Sequence, residues 1–363
     1  MRRTDPVLWF VLPAGAVGGD GDDPPEISGG NRYDRELLRG LRALGRNVGV
    51  IAVSGRWPYS DSAGGAGAPD DAAMADLRRR LRAVNEHDPV LVDGLIGVAA
   101  PELFAGLRTV ALMHMPFGAA DPRLRAGEDA LLAAAVAVLT TSDWTRTQLA
   151  GSATGPVRVA VPGVHPAPAT APSSSGGRLL VVGAVTRAKG QADVLAALAR
   201  CADLDWSCRV VGPLGSDPDY ADALRRASAG FGGRFSIAGE RRGPGLAAEF
   251  ARADLLVSAS SRESYGMAVT EALACAVPVV AVDVGGVAEA LGTTPVGPPG
   301  RLVPAAEAGS GSGTLADALR AWLGDPALRT DLRHAAALRR PTLPRWSDTA
   351  TAVDRLLSAV ISG

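Results

Sequence analysis

Short, uninterrupted apolar runs recur along this chain with helix-patterned stretches between them, and that alternation leaves few folds open. Val7 to Leu12, Val48 to Val53, Val90 to Asp93, Thr109 to His114, Val136 to Thr141 and Val157 to Val161 form one set of candidate strands. Leu179 to Gly183, Cys208 to Gly212, Arg234 to Ala238, Leu255 to Ser258, Val279 to Val282 and Arg301 to Val303 form a second. A strand with one wet face alternates apolar and polar residues, whereas a strand covered by helices on both faces is apolar throughout, as in parallel sheets. The expected class is therefore α/β, with two Rossmann-like, doubly wound parallel-sheet domains. A length of 363 residues exceeds one ordinary core, and 47% hydrophobic residues supply apolar surface for two.

Between the two sets lies Pro162 to Gly177 (PGVHPAPATAPSSSGG), which has no strand or helix periodicity and reads as a linker, part stiff and part flexible, that lets the halves close on a ligand. The expected division is 1–165 and 166–345, with a helical pattern from Trp346 to the C-terminus. Ser60 to Asp71 and Ala308 to Gly313 read as exposed loops. Three cysteines, Cys201, Cys208 and Cys275, form no CxxC and read as small buried residues in a reducing compartment. A net charge of -1 provides no positive field for nucleic acid. No signal peptide opens the sequence, and the longest nearly apolar run, Ala130 to Leu139, is too short to span a bilayer, so a cytoplasmic protein is expected. Arg78, Arg79, Arg80 and Arg82 stand opposite Leu77 and Leu81 in a helix expected over Asp71 to Asn85, and a solvated face is favoured there over membrane contact.

The only lysine, Lys189, ends the run LLVVGAVTRAKG, where an apolar strand breaks at Gly183 and Arg187 and Lys189 precede a helix. A strand-to-helix turn offers backbone N–H groups and a helix N-terminus to an anion, and the two cations add full charges. Further on, SSRESYGMAVTEALACAVPVVAVDVGG holds Glu263 and Glu271 with seven residues between them. Ser261 and Ser264 are expected to cap a helix beginning near Gly266, placing Glu263 in the loop and Glu271 inside the helix. Carboxylates beside a diphosphate suit sugar and ribose hydroxyls, though each alone reads equally well as a cap or a wet helix face. In the first half, Gly29 and Gly30 precede a helix expected over Asn31 to Leu44, where a Gly pair serves as a turn as readily as a ligand approach. His114 ends a strand, the place where open parallel sheets put ligands. Asp20, Asp22 and Asp23 read as solvated loop carboxylates, and no metal site is expected.

These motifs, in this order, resemble the retaining family 4 glycosyltransferases. That family carries a basic diphosphate-binding turn ending in Lys-Gly and a Glu-x7-Glu pair, and the likeness extends to PVVAVDVGG, SGGNRYDREL, LMHMPFG and TTSDWTRTQL. One departure is that the family often sets its Arg directly after the strand-ending Gly, where this chain has Ala184, so Arg187 takes that role. The resemblance implies a GT-B fold with a central cleft, an N-terminal acceptor domain, a C-terminal nucleotide-sugar domain and a last helix crossing back to the first. It implies transfer of a hexose-type sugar from a nucleoside diphosphate, UDP or GDP foremost, to an acceptor hydroxyl, with no cofactor or metal. Arg187, Lys189, Glu263 and His114 would serve the chemistry. Gly29, Gly30, Gly183, Ser264, Tyr265, Gly266, Met267 and Glu271 would hold the donor, and Asn31, Trp57 and Tyr59 the acceptor. The rivals are a nucleotide-sugar epimerase of the same fold, a phosphorylase with pyridoxal phosphate on Lys189, and a non-catalytic nucleotide-sugar-binding protein. Dense Arg, Ala and Gly suggest a GC-rich bacterium, where such enzymes build secondary metabolites or cell-envelope glycans.

Overall fold

The computed structural model describes residues 6–17, 28–55, 57–58, 71–305 and 313–362. Tyr59, the aspartates 20, 22 and 23, and most of the two low-complexity loops lie outside the described residues. Every apolar run forms a strand, with ends shifted by a residue or two. β1 (Leu8–Pro13), β2 (Val48–Val53), β3 (Pro89–Asp93), β4 (Arg108–Met113), β5 (Ala137–Thr140) and β6 (Val157–Val159) make one six-stranded sheet, in the order β2-β1-β3-β4-β5-β6. β7 (Arg178–Val182), β8 (Ser207–Val211), β9 (Phe235–Ile237), β10 (Leu255–Ser258), β11 (Val279–Asp283) and β12 (Gly300–Pro304) make a second, ordered β12-β11-β10-β7-β8-β9. All pairings within the sheets are parallel.

Described residues up to Gly163 gather with those from Pro344 onward into one compact unit, and Val164–Leu343 form the other. In the first unit, Val11, Val92, Ala111 and Val138 from the strands bury against Leu77, Leu131 and Leu132 from the helices. The C-terminal helix Trp346–Ser362 lies against the helix Gly29–Ala43 so closely that a Cβ on Gly40 would stand 2.5 Å from that of Ala350. In the second unit, Val181, Val210, Val257 and Val280 pack with Leu198, Leu224 and Trp322. All three cysteines are buried and free.

Polar side chains cap the starts of several helices. Ser28 accepts from Asn31 N–H at 3.1 Å, Asp93 from Leu95 at 2.6 Å and Asp217 from Tyr220 at 3.1 Å, each cap being worth about 1 kcal/mol. The cap on Ser28 corrects one expectation: the helix includes both Gly29 and Gly30 rather than following them. A second correction concerns the helix Asp71–Leu81, which stops short of Asn85 because Ala83 and Val84 N–H turn back to the Arg80 and Leu81 carbonyls. On it Asp76 pairs with Arg79 and Arg80, as a solvated face would. A third concerns the linker. From Thr170 it is docked on the second unit: Thr170 N–H bonds the Cys275 carbonyl at 2.9 Å, Ser173 N–H bonds buried Asp254 at 2.7 Å, and Trp322 Nε1–H donates to the Gly176 carbonyl at 2.9 Å. Lack of periodicity here marks extended chain held by distant partners, not freedom.

Candidate active site

In a doubly wound sheet the crevice for a ligand opens beyond the carboxyl ends of the strands, where the strand order reverses. In the second sheet that point lies between β7 and β10. The chain leaving β7 turns at Gly183, makes a short 3₁₀ turn over Arg187–Lys189, and passes through Gly190 into the helix Gln191–Ala199. Gly190 has φ +66°, and a Cβ there would meet the Ala259 carbonyl oxygen at 2.1 Å, so the turn packs directly on the loop leaving β10. Ser261 N–H ties the same two segments by donating to the Ala188 carbonyl at 2.9 Å. Gly183, with φ +153°, sits beneath the Lys189 stem, and Gly212 after β8 has no room for a Cβ because the Gly183 carbonyl oxygen would lie 1.9 Å away.

These close approaches join Lys189 Nζ to Glu263 Oε1 in a hydrogen-bonded ion pair. Ser260 Oγ donates to the same oxygen at 3.0 Å. Lys189 keeps 32% and Glu263 19% of its side-chain surface exposed, so the pair is reachable from solvent. Arg187 is placed otherwise. Its side chain is 77% exposed, 3.9 Å from Asp217, and its guanidinium lies 5.6 Å from the Tyr220 ring centroid.

Glu263 is itself held by the Gly285-Gly286 turn after β11. Gly286 N–H bonds the Glu263 carbonyl at 3.2 Å, and a Cβ on Gly285, whose φ is +59°, would stand 1.6 Å from that oxygen. The helix Met267–Ala274 starts at Gly266 (φ +103°) with no side-chain cap, which corrects the expected capping by Ser261 or Ser264. Ser261 is engaged with Ala188 instead. An uncapped first turn leaves N–H groups for water or an anion. Ser264 and Met267 are half-buried. Tyr265 is buried, and burial, then the charge of Glu289, pushes its hydroxyl up to about 12. Glu271 is half-buried within the helix, and after burial itself its charge helps push the Cys275 thiol up to about 11.

In the first unit the strand order reverses between β1 and β3, with β4 alongside. His114, just past β4, meets two buried carboxylates through one nitrogen: Nε2 lies 2.9 Å from Asp34 Oδ1 and 3.4 Å from Asp93 Oδ2. Tyr33 stands edge-on to the imidazole at 5.2 Å. Gly30 touches the other side, where a Cβ would come within 3.3 Å of Cδ2. Burial works against the imidazolium, but the Asp34 and Asp93 carboxyl groups beside it, which also hydrogen-bond the ring, raise His114 to about 10. Burial and then the Asp93 charge raise Asp34 to about 8, against the pull of His114. Burial works against ionised Asp93 also, but its bonds to His114 and to Leu95 N–H hold it below the ordinary carboxylate value. The three donor atoms lie within 4.8 Å of one another, a spacing that a divalent cation would also accept. Asn31 and Trp57 are half-buried, Trp57 donating Nε1–H to the Ser54 carbonyl at 3.0 Å. Gly29 is exposed at the helix start.

Sequence reasoning singled out His114 but missed Asp34 and Asp93. Asp34 carried a signal: it shares the buried stripe of its helix with Leu37, Leu38 and Leu41, at helical spacing where an acid is out of place. Asp93 ends an otherwise apolar strand at its carboxyl edge.

Residues 176–325 match the family model of glycosyl transferases group 1. That segment, within the second unit, is thus similar to the group 1 glycosyl transferases. The chain is 35% identical over 178 residues to the D-inositol 3-phosphate glycosyltransferase of Pseudarthrobacter chlorophenolicus, a match covering 47% of this chain and 40% of that protein. The chain is thus matched over less than half the length of that curated relative. Sucrose-phosphate synthase of Thermosynechococcus elongatus superposes with a TM-score of 0.76 at 20% identity, over 98% of this chain and 99% of that one. Anabaena HepE in complex with UDP and glucose does so with 0.71 at 17% identity, over 97% and 99%. At such identities the likeness is one of fold, and the chain has the expected GT-B type, two α/β units built on six-stranded parallel sheets.

Proposed function

We propose that this protein is a retaining glycosyltransferase that moves a hexose-type sugar from a nucleoside diphosphate to an acceptor hydroxyl. The observation that carries the reading is the Lys189–Glu263 pair at the carboxyl edge of the second sheet. An ammonium neutralises a diphosphate and a carboxylate accepts from sugar hydroxyls, and here the two are held by glycine-tight packing while remaining open to solvent.

In this reading a bound diphosphate takes Lys189 from Glu263, freeing the carboxylate for the sugar. Arg187, exposed at the turn, adds charge, and Gly183 and the N–H groups of Ser264, Tyr265, Gly266 and Met267 line the donor. Glu271 binds the ribose. As the bond from the anomeric carbon to the phosphate oxygen breaks, negative charge grows on the diphosphate, and fixed donors there stabilise the transition state. The acceptor oxygen bonds the anomeric carbon on the face the diphosphate leaves, and its proton passes to a phosphate oxygen. Charge compensation is assigned to Lys189, Arg187 and backbone N–H groups, not to a metal. Gly29 and Gly30 are assigned to the donor, His114 to the chemistry, and Asn31, Trp57 and Tyr59 to the acceptor. HepE was solved with UDP, and the relative above is named for D-inositol 3-phosphate, so UDP-sugars and polyol phosphates are the first ligands to try.

Lys189→Ala tests the assignment. A half-exposed turn ammonium packs little, so the fold should persist by circular dichroism. Turnover should fall 10²- to 10³-fold, the effect of losing one fixed donor, about 3–4 kcal/mol. Near-normal turnover in a folded variant would sink the diphosphate site.

A further inference from the structure

We propose that Asp34 and Asp93 are positioning residues that share one proton and hold His114 as an imidazolium, so that its Nδ1–H is offered to a ligand oxygen. Nε2 bears a single hydrogen and faces two carboxylates, at 2.9 and 3.4 Å. Asp93 Oδ1 already accepts from Leu95 N–H. Two buried atoms are then left without a hydrogen-bond partner, Asp34 Oδ2 and Asp93 Oδ2. Neighbouring buried carboxylates cannot both ionise cheaply, and a buried acceptor without a donor is costly. The two carboxyls lie within hydrogen-bonding reach of each other, so one proton held by Asp34 and donated to Asp93 relieves the repulsion between them.

Which carboxyl holds it follows from the surroundings. Asp93 caps a helix and accepts a backbone N–H, which favours its ionised form, whereas Asp34 has no donor besides His114. The cluster is then an imidazolium, a carboxylic acid and a carboxylate, neutral in sum. Neutralising the imidazole would leave the Asp93 charge buried and uncompensated, so the ring keeps its proton.

The titratable groups that face the ring among the described residues are Asp34 and Tyr33 from the helix Gly29–Ala43 and Asp93 from the end of β3. Burial raises the Tyr33 phenol, which stays neutral. After β5, the Thr141 hydroxyl donates to the His114 main-chain carbonyl at 3.1 Å. Nδ1 has no partner among the described residues, and the side chain keeps 13% of its surface exposed. Nδ1–H is thus a charged donor for a hydroxyl or phosphate oxygen and not a general base. The ligand rests on the transferase reading; the protonation does not.

The test is a pH titration of the His114 ring nitrogens by ¹⁵N NMR on the full chain, with the signal assigned from its loss in His114→Gln. Both nitrogens should remain protonated in the native protein beyond pH 8. Asn at position 34 mimics the protonated acid, so Asp34→Asn should leave His114 charged at neutral pH. Asp93→Asn removes the only negative charge, and the titration should fall toward the ordinary imidazole value of about 6.5. A neutral His114 at pH 7.5 in the native protein overturns the proposal, as does an Asp34→Asn effect equal to that of Asp93→Asn. A stoichiometric divalent metal in the purified protein, found by elemental mass spectrometry, also overturns it. The wild-type and Asp34→Asn titrations decide the matter even if Asp93→Asn fails to fold. No substrate is needed, so this result is separable from failure of the transferase reading.

Discussion

Lys189 and Glu263 are seventy-odd positions apart, yet each neutralises the other. A half-exposed ion pair adds little stability, so its use lies in what replaces it. Glu263, freed by the donor diphosphate, is assigned to the sugar, and Glu271, inside its helix, to the ribose. Glu263→Gln should therefore weaken an intact nucleotide sugar much more than the free nucleoside diphosphate. Glu271→Gln should weaken both alike, by about 1–3 kcal/mol for one charged hydrogen bond. Calorimetry of both variants with both ligands checks this, and equal losses for Glu263→Gln would reverse the roles. Lys189 could be read from the chain because a lone lysine among many arginines at a strand-to-helix turn is conspicuous. That Glu263 is its partner could not. Glu263 came to light through a motif, and only the approach of Gly190 to Ala259 shows that the two meet. The Asp34–Asp93–His114 cluster was still less legible, since its members sit on three separate elements that only the strand order brings together.

At the scale of elements, the strands were legible because both faces of each sheet are covered, which removes polar residues from the runs. The glycines between them record contacts that no local pattern announces. Gly285 is the sharpest case: its φ is +59°, and a Cβ would collide with the Glu263 carbonyl oxygen at 1.6 Å. Gly285→Ala must displace the loop that carries Glu263. Left-handed backbone costs Ala about 1–2 kcal/mol before any clash, so a lower melting temperature is expected together with at least a tenfold loss of donor affinity. Gly151→Ala, with nothing within 4 Å, is the control and should alter neither by much. Unchanged donor affinity in Gly285→Ala would show that the Gly-Gly turn does not place Glu263. The linker illustrates the converse limit. Its composition suggests freedom, but Asp254, far along the sequence, fastens it.

For the whole molecule, each unit has its own core, and Asp254 is a fastening point of the second. It is buried at the foot of β10 and bonds Ser173 and Arg178. Burial opposes its ionisation, but the Arg178 and Ser173 bonds outweigh it and hold the carboxyl below its ordinary 3.8. A depressed carboxyl contributes stability that is fully present above the unfolded value and is lost as pH falls through the folded one. Calorimetric melting should thus show Asp254→Asn well below wild type at pH 7, with the gap closing below about pH 4. A gap independent of pH would mean that Asp254 acts by packing alone. The transfer reaction is tested most directly by following UDP-sugars and GDP-sugars with and without polyol phosphate and other hydroxyl acceptors. Free nucleoside diphosphate should accumulate only when an acceptor is present, and NMR of the product should show the anomeric configuration of the donor. Nucleotide-sugar turnover without any acceptor, or a product of inverted configuration, would contradict the account.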